Sequence, residues 1–269
     1  MIGIGGLGAT LSLQIIDRTK SQQLEAISET PQHARAIAKF RESAAEVTTA
    51  RDFVENYDVY NLVMKAHGLE DQMFGKAMMR KILESDIDDP SSLVRRMTDE
   101  RFEEIHRALD FTQPGKTTTR TSSVAWQEEM VDKYVEATFV SDIEAQDPIV
   151  GNVLKFRERA PEISNWYDIL ADKDFATVVR TAFGMPSETA LIDVDKQVEI
   201  LKSKMSLEDF QDPEFVASVE RKYTAVAEAQ SVGQGAQMSP IVQLFQSSGS
   251  FVGPSIDVAS LANFSPVYR

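Results

Sequence analysis

One stretch of this chain is written twice, and that constrains its fold more than any single motif. Lys39-Phe40-Arg41-Glu42 returns 116 residues later as Lys155-Phe156-Arg157-Glu158. The register holds without a gap to Gly68 and Gly184, with 11 identities in the 31 positions from 39 to 69. Among them are Ala44, Glu46, Asp52, Asp58, Val63 and Ala66, each with an identical residue in the second segment. Each unit spans roughly a hundred residues, the size of a domain or half-domain. That is too long for a solenoid array, whose units run to about 20–50 residues. The pattern predicts two pseudo-symmetric multi-helix repeats.

The periodicity within the repeats is helical. Phe74, Ala77, Met78 and Ile82 fall on one stripe, as do Phe102, Ile105 and Leu109, then Val194, Val198 and Leu201, then Val216, Val219, Tyr223 and Val226. No alternating apolar–polar run with hairpin residues interrupts them, so the fold class is all-α, bundle-like. Thr30-Pro31, Asp89-Pro90, Asp147-Pro148 and Asp212-Pro213 each put a side-chain acceptor before a proline. This predicts four helix starts, with the proline at the first helical position. Thr98 is the expected cap for the helix carrying Phe102, and Thr48 and Ser164 for short helices carrying Phe53 and Ile169. Gly68 and Gly184 are expected as left-handed residues that end helices. Because Arg41, Asp52, Arg157 and Asp168 recur, an Arg41–Asp52 and an Arg157–Asp168 ion pair are expected to clamp neighbouring helices.

The expected organisation is an N-terminal segment and lead-in helix over 1–29, repeat 1 over 30–111, and a polar, exposed linker over 112–123. A long helix (Val124 to Ala145) with repeat 2 then fills 124–230, and a loosely held tail covers 231–269. Net charge is −14, which repels phosphate backbones and argues against nucleic-acid binding. The chain has no cysteine, which excludes disulfides, thiol catalysis and cysteine-based zinc sites. No apolar run reaches the roughly 18–20 residues that span a bilayer, and the N-terminus lacks the layout of a cleaved secretory signal. Either a cytoplasmic location or export without cleavage is compatible with this.

Motifs of chemistry are scarce. Gly3-Ile4-Gly5-Gly6-Leu7-Gly8 spells a dinucleotide signature but has no strand before it, so a flexible N-terminus is expected. His33, His67 and His106 fall on separate helices without metal-ligand spacing. Asp86-Ile87-Asp88-Asp89 lacks the glycine and terminal glutamate of a calcium loop. There is no nucleophile elbow, Walker motif or zinc-protease helix. No catalytic, cofactor-binding or metal residue is therefore nominated. Any working surface is expected where the repeats differ: Pro186 to Ala190, the long helix after the linker, and the two tails.

Phe40-Arg41-Glu42, Asp52-Phe53, the stretch Ala66 to Asp71, the stretch Arg80 to Asp86, Asp88-Asp89-Pro90 and Phe111 together resemble the bacterial family known as domain of unknown function 1217. Asp193 to Gln197 and Asp209 to Pro213 do so in the second repeat, and the resemblance covers most of residues 20–229. It implies a helical fold repeated within one chain and no established catalytic residues. Members are similar to proteins encoded among flagellar genes of alphaproteobacteria, which implies a flagellar association. The expected function is thus a non-enzymatic helical protein working through protein partners in flagellar assembly or motility. A small-molecule module with a cleft between the repeats is the alternative, and an enzyme of unrecognised type is the least favoured.

Overall fold

In a computed structural model, residues 3–113 and 115–236 are described. The chain divides into Met1–Glu228, which holds everything discussed below, and a unit from Ala229 onward, of which only the end of one helix is described. Most of the 231–269 tail therefore lies outside the described residues. The architecture is all-α: α1 (Ala9–Glu29), α2 (Pro31–Ser43), α3 (Ala50–Glu55), α4 (Tyr57–Ala66), α5 (Lys76–Leu83), α6 (Arg101–Leu109), α7 (Val124–Gln146), α8 (Pro148–Arg159), α9 (Trp166–Ala171), α10 (Lys173–Ala182), α11 (Val194–Lys202) and α12 (Pro213–Ala236).

Helix α7 is the spine. Trp126, Met130, Val131, Tyr134, Val135, Phe139, Val140 and Ile143 are buried around much of its circumference, as befits a helix enclosed by others. It lies against α1, α4 and α8, so elements from both recurring segments pack on it. Gly151 allows α8 to approach closely: a Cβ there would sit 2.5 Å from the Glu144 Cβ and 2.7 Å from its Cα.

Local structure recurs at the two segments. Phe40 and Phe156 are fully buried, as are Ala44 and Ala160, Phe53 and Ile169, Val63 and Val179. Phe40 packs on Trp126 at 5.9 Å between ring centres, and Phe156 on Phe175 at 4.8 Å. Gly68 and Gly184 have φ of 63° and 61°. Each is followed by a residue whose N–H reaches back to close the helix, Leu69 to the Met64 carbonyl and Met185 to the Arg180 carbonyl, a six-to-one closure that only a left-handed residue before it permits.

The caps lie one residue beyond their expected places. Thr49 and Asn165, not Thr48 and Ser164, cap α3 and α9, each in a reciprocal box with Asp52 or Asp168. Thr48 and Ser164 instead donate to those same carboxylates, from Oγ1 at 3.0 Å and Oγ at 3.1 Å. Asp52 and Asp168 are therefore used by the backbone, and neither pairs with Arg41 or Arg157. The repeated ion pair is a different one. Lys39 faces Asp58 at 3.9 Å, and Lys155 faces Asp174 at 2.7 Å, at equivalent positions.

Other expectations need correction. Asp147 caps α8 through the Ile149 and Val150 N–H groups, and Pro31 and Pro213 open their helices as expected. Thr30 does not cap with its side chain: its hydroxyl donates back to the Ile27 carbonyl. Asp89-Pro90 opens no helix, because Asp89 is drawn into a turn by the Ser91 N–H at 2.8 Å. Thr98 gives no cap; α6 starts at Arg101, whose N–H is held by Asp99 at 3.0 Å. Phe74 lies before α5 and is 99% exposed, and the buried face of that helix is Met79, Ile82 and Leu83. Val194 is 48% exposed while Val198 and Leu201 are buried.

The 112–123 stretch is not merely an exposed linker. Thr118 and Thr121 are buried, and Thr121 donates to the Val47 carbonyl at 2.7 Å. The N-terminus is also docked: Ile4, Ala9, Leu13 and Ile16 are core residues.

Gly151→Ala is expected to lose about 1–3 kcal/mol of stability, because the backbone of α7 stands where the methyl would go. Gly5→Ala, with nothing within 4 Å of the added carbon, is expected to stay within about 0.5 kcal/mol. Urea denaturation of the two variants beside the parent checks both values.

Candidate functional site

The lysine and arginines at the C-terminal end of α8 each bind carboxylates from other elements. Lys155 donates to Glu144 of α7 at 2.8 Å and to Asp174 of α10 at 2.7 Å. Arg157 grips Glu220 of α12 with two parallel bonds of 2.7 and 2.8 Å, and Asp17 of α1 at 2.6 Å. Glu220 raises the Arg157 pKa further, against the effect of burial, with Asp17 adding to the rise. Arg159 reaches Glu104 of α6 at 2.8 Å, Glu162 at 2.9 Å, and Glu100 at 3.3 Å.

These residues form the wall of a cleft of about 1020 Å³. Elements of both recurring segments line it: Ala66, His67 and Gly68 from the end of α4, and α8 with the starts of α9 and α10 from the second. Helices α1 and α7 and the turn before α6 complete it. Fourteen acidic and seven basic residues line this space. Six of the seven, Lys20, Arg101, Lys133, Lys155, Arg157 and Arg159, already hold carboxylates. The surplus is therefore negative.

That surplus is visible in two glutamates. Glu100 is pushed up to about 7: its surroundings desolvate it, the Asp168 carboxyl lies within hydrogen-bonding reach, and Arg159 only partly compensates. Two carboxyls so placed cannot both ionise without cost. Glu158 is raised as well, by crowding between the cleft walls and then by Glu136 and Glu162, against Lys20 and Arg159.

His67 lines the same cleft, is 6% exposed, and its Nε2 has no hydrogen-bond partner. Burial, then Lys133, lowers it from 6.5 to about 4, so it is neutral near pH 7. The other histidines are structural. His33 Nδ1 meets the Tyr134 hydroxyl at 2.7 Å, and His106 Nε2 meets the Ser85 carbonyl at 2.9 Å.

Residues singled out by sequence fall in several places. The glycines at 3–8 lead into α1, but the Glu228 carboxylate accepts the Ala9 N–H there, occupying the helix start where a phosphate would bind. Asp86 and Asp89 accept backbone N–H groups of their own turns. Among the described residues, no group of three or more His, Asp or Glu could hold a metal ion, and no helix is long and apolar enough to cross a membrane. Of the surfaces where the repeats differ, α7 lines the cleft, whereas Pro186 to Ala190 stands away from it. Sequence reasoning missed Glu100, Glu158 and Arg159. The available signal was Arg159 standing where the first segment has Ser43.

The chain belongs to the family described as protein of unknown function DUF1217, whose profile matches residues 66–216. It is similar to a protein from Agrobacterium tumefaciens solved by X-ray crystallography, at 29% identity and a TM-score of 0.74, over 86% of this chain and 97% of that one. No curated protein matches the chain.

His67 gives a prediction in pH. Its folded pKa is depressed, so its contribution to stability is complete above about 6.5 and is lost as pH falls toward 4. Between pH 8 and pH 5 the loss is about 2 kcal/mol. His67→Phe, which installs the residue found at 183, is expected to remove that loss while changing stability little at pH 8. Denaturation at the two pH values checks it.

Proposed function

We propose that this member of the DUF1217 family acts by binding a protein partner and not by catalysis, with the acidic cleft as its recognition surface. One observation carries the reading. The cleft is built from both recurring segments, and six of its seven cations already hold carboxylates while acidic groups remain in excess. Side chains that bind one another and the backbone suit recognition better than turnover. The cleft lining is charged, unlike the mostly apolar lining of small-molecule pockets. A smaller charged ligand is the second reading, favoured by the cleft volume alone; it predicts a thermal shift with a low-molecular-weight cation.

The biological setting we propose is flagellar assembly or motility, in the cytoplasm or after export by a flagellar route. It is supported by the resemblance of residues 20–229 to proteins encoded among flagellar genes.

A clean deletion in the native host is expected to swim poorly, and the wild-type gene to restore swimming. A version carrying Asp71→Lys and Asp132→Lys is expected not to restore it. Both residues line the cleft, are exposed and form no ion pair among the described residues. Normal swimming by the deletion strain would remove the motility role. Full rescue by the charge-reversed version would remove the cleft from the function.

A further inference from the structure

We propose that this protein binds a second copy of itself, an exposed apolar patch with a basic rim on one copy meeting an exposed apolar patch with an acidic rim on the other. The two patches come from different recurring segments. Neither lines the cleft, so the inference stands whether or not the cleft is the working surface.

The first patch surrounds the start of α5. Phe74 and Met78, one helical turn apart, are both exposed, and the Met78 methyl folds back over Gly75. Beside them a groove of about 430 Å³ lies between α3 and α5, with Val54 and Ala77 as its apolar lining. The charge here is positive. Lys76, Arg80 and Lys81 are exposed, and no acidic residue falls between 74 and 83. Arg80 is 3.5 Å from Glu84, whereas Lys76 and Lys81 hold no carboxylate among the described residues. Glu55 also lines the groove, but Arg51 binds it at 2.8 Å.

The second patch surrounds the start of α11. Leu191 is 86% exposed, and Ile192 and Val194 beside it are exposed as well. Tyr167 of α9 is exposed next to them, its hydroxyl donating to Asp195 at 2.9 Å. The charge here is negative. Glu188, Asp193, Asp195 and Glu199 are exposed, with Lys196 the one basic residue between 186 and 199. None of the four carboxylates forms an ion pair among the described residues.

These features select another copy of the chain as the occupant. Grouped, exposed apolar side chains mark interaction surfaces, and here two groups stand at corresponding places, ahead of the helices that follow Gly68 and Gly184. Their rims carry opposite charge. Either patch placed on its own kind opposes like charges, which is costly, while the first placed on the second pairs cations with carboxylates. The groove between α3 and α5 offers an apolar seat for Leu191. Because the two surfaces differ, the angle between them decides whether copies close as a dimer or ring or extend as an open chain.

The test is sedimentation velocity of the full chain at low salt over a rising series of concentrations. Two charge-reversed variants accompany the parent: Lys76→Glu with Lys81→Glu, and Glu188→Lys with Glu199→Lys. All four residues are exposed, and circular dichroism checks that both variants keep the fold. The parent is expected to associate as concentration rises, and added salt to weaken the association. Each variant alone is expected to associate about tenfold or more weakly. Mixed in equal amounts, the two are expected to regain association, because each then meets the opposite charge on the other. Both variants keep a negative net charge, so bulk attraction does not explain such a recovery. Leu191→Ser, which leaves charge unchanged, is expected to weaken association as well. A parent chain that stays monomeric up to about 500 μM would overturn the proposal. So would association that either charge reversal leaves intact, no recovery on mixing, or no effect of Leu191→Ser.

Discussion

The fork between Arg157 and Glu220 is the interaction on which the arrangement of helices most depends. Glu220 is 8% exposed, and a carboxylate that deep in protein is tolerated only with a partner that satisfies both of its oxygens. Arg157 does so with two parallel bonds, and its third nitrogen donates to Asp17 on α1. One side chain thus joins α8 to the last and the first helices of the unit. Lys155 and Arg159 extend the same logic to α7, α10 and α6. Apolar burial around α7 supplies most of the stabilisation, but it is non-directional. The charged contacts specify which helix end meets which.

Most of the carboxylates these cations hold, among them Asp17, Glu104, Glu144, Glu162 and Asp174, themselves line the cleft. Pairing between them leaves the net charge of the cleft unchanged, and its acidity comes from the excess of acidic over basic side chains. Glu100 and Glu158, desolvated by their surroundings and set beside other carboxyls, hold their protons more tightly than ordinary glutamates.

Much of the framework was legible in the sequence because it is local. The helical stripe of Phe102, Ile105 and Leu109, the span of α7, the proline starts at Pro31, Pro148 and Pro213, and the left-handed glycines at 68 and 184 depend on neighbours within a few residues. The recurring segments also show which positions must be buried. Partner choice was not legible, because it is a tertiary property. Arg157 and Asp168 recur together, yet Asp168 closes its own helix start and Arg157 reaches 63 residues onward to Glu220. The true recurring pairs, Lys39 with Asp58 and Lys155 with Asp174, were equally visible as identities. They span the break between helices, so helical spacing did not suggest them. The cleft could not be read at all, since Glu100 and Asp168 lie far apart in the chain. Residues 112–123 misled because threonines read as solvent-facing, while Thr121 is buried by giving its hydroxyl to Val47.

The most direct test is a double-mutant cycle on Arg157→Ala and Glu220→Ala, followed by denaturant unfolding. Each single variant is expected to lose about 2–4 kcal/mol, since it strands the other charge in a mostly buried place. The double variant is expected to lose less than the sum by about 1.5 kcal/mol or more. Additive losses would mean that the two side chains act independently, and would contradict the view that this fork organises the helices.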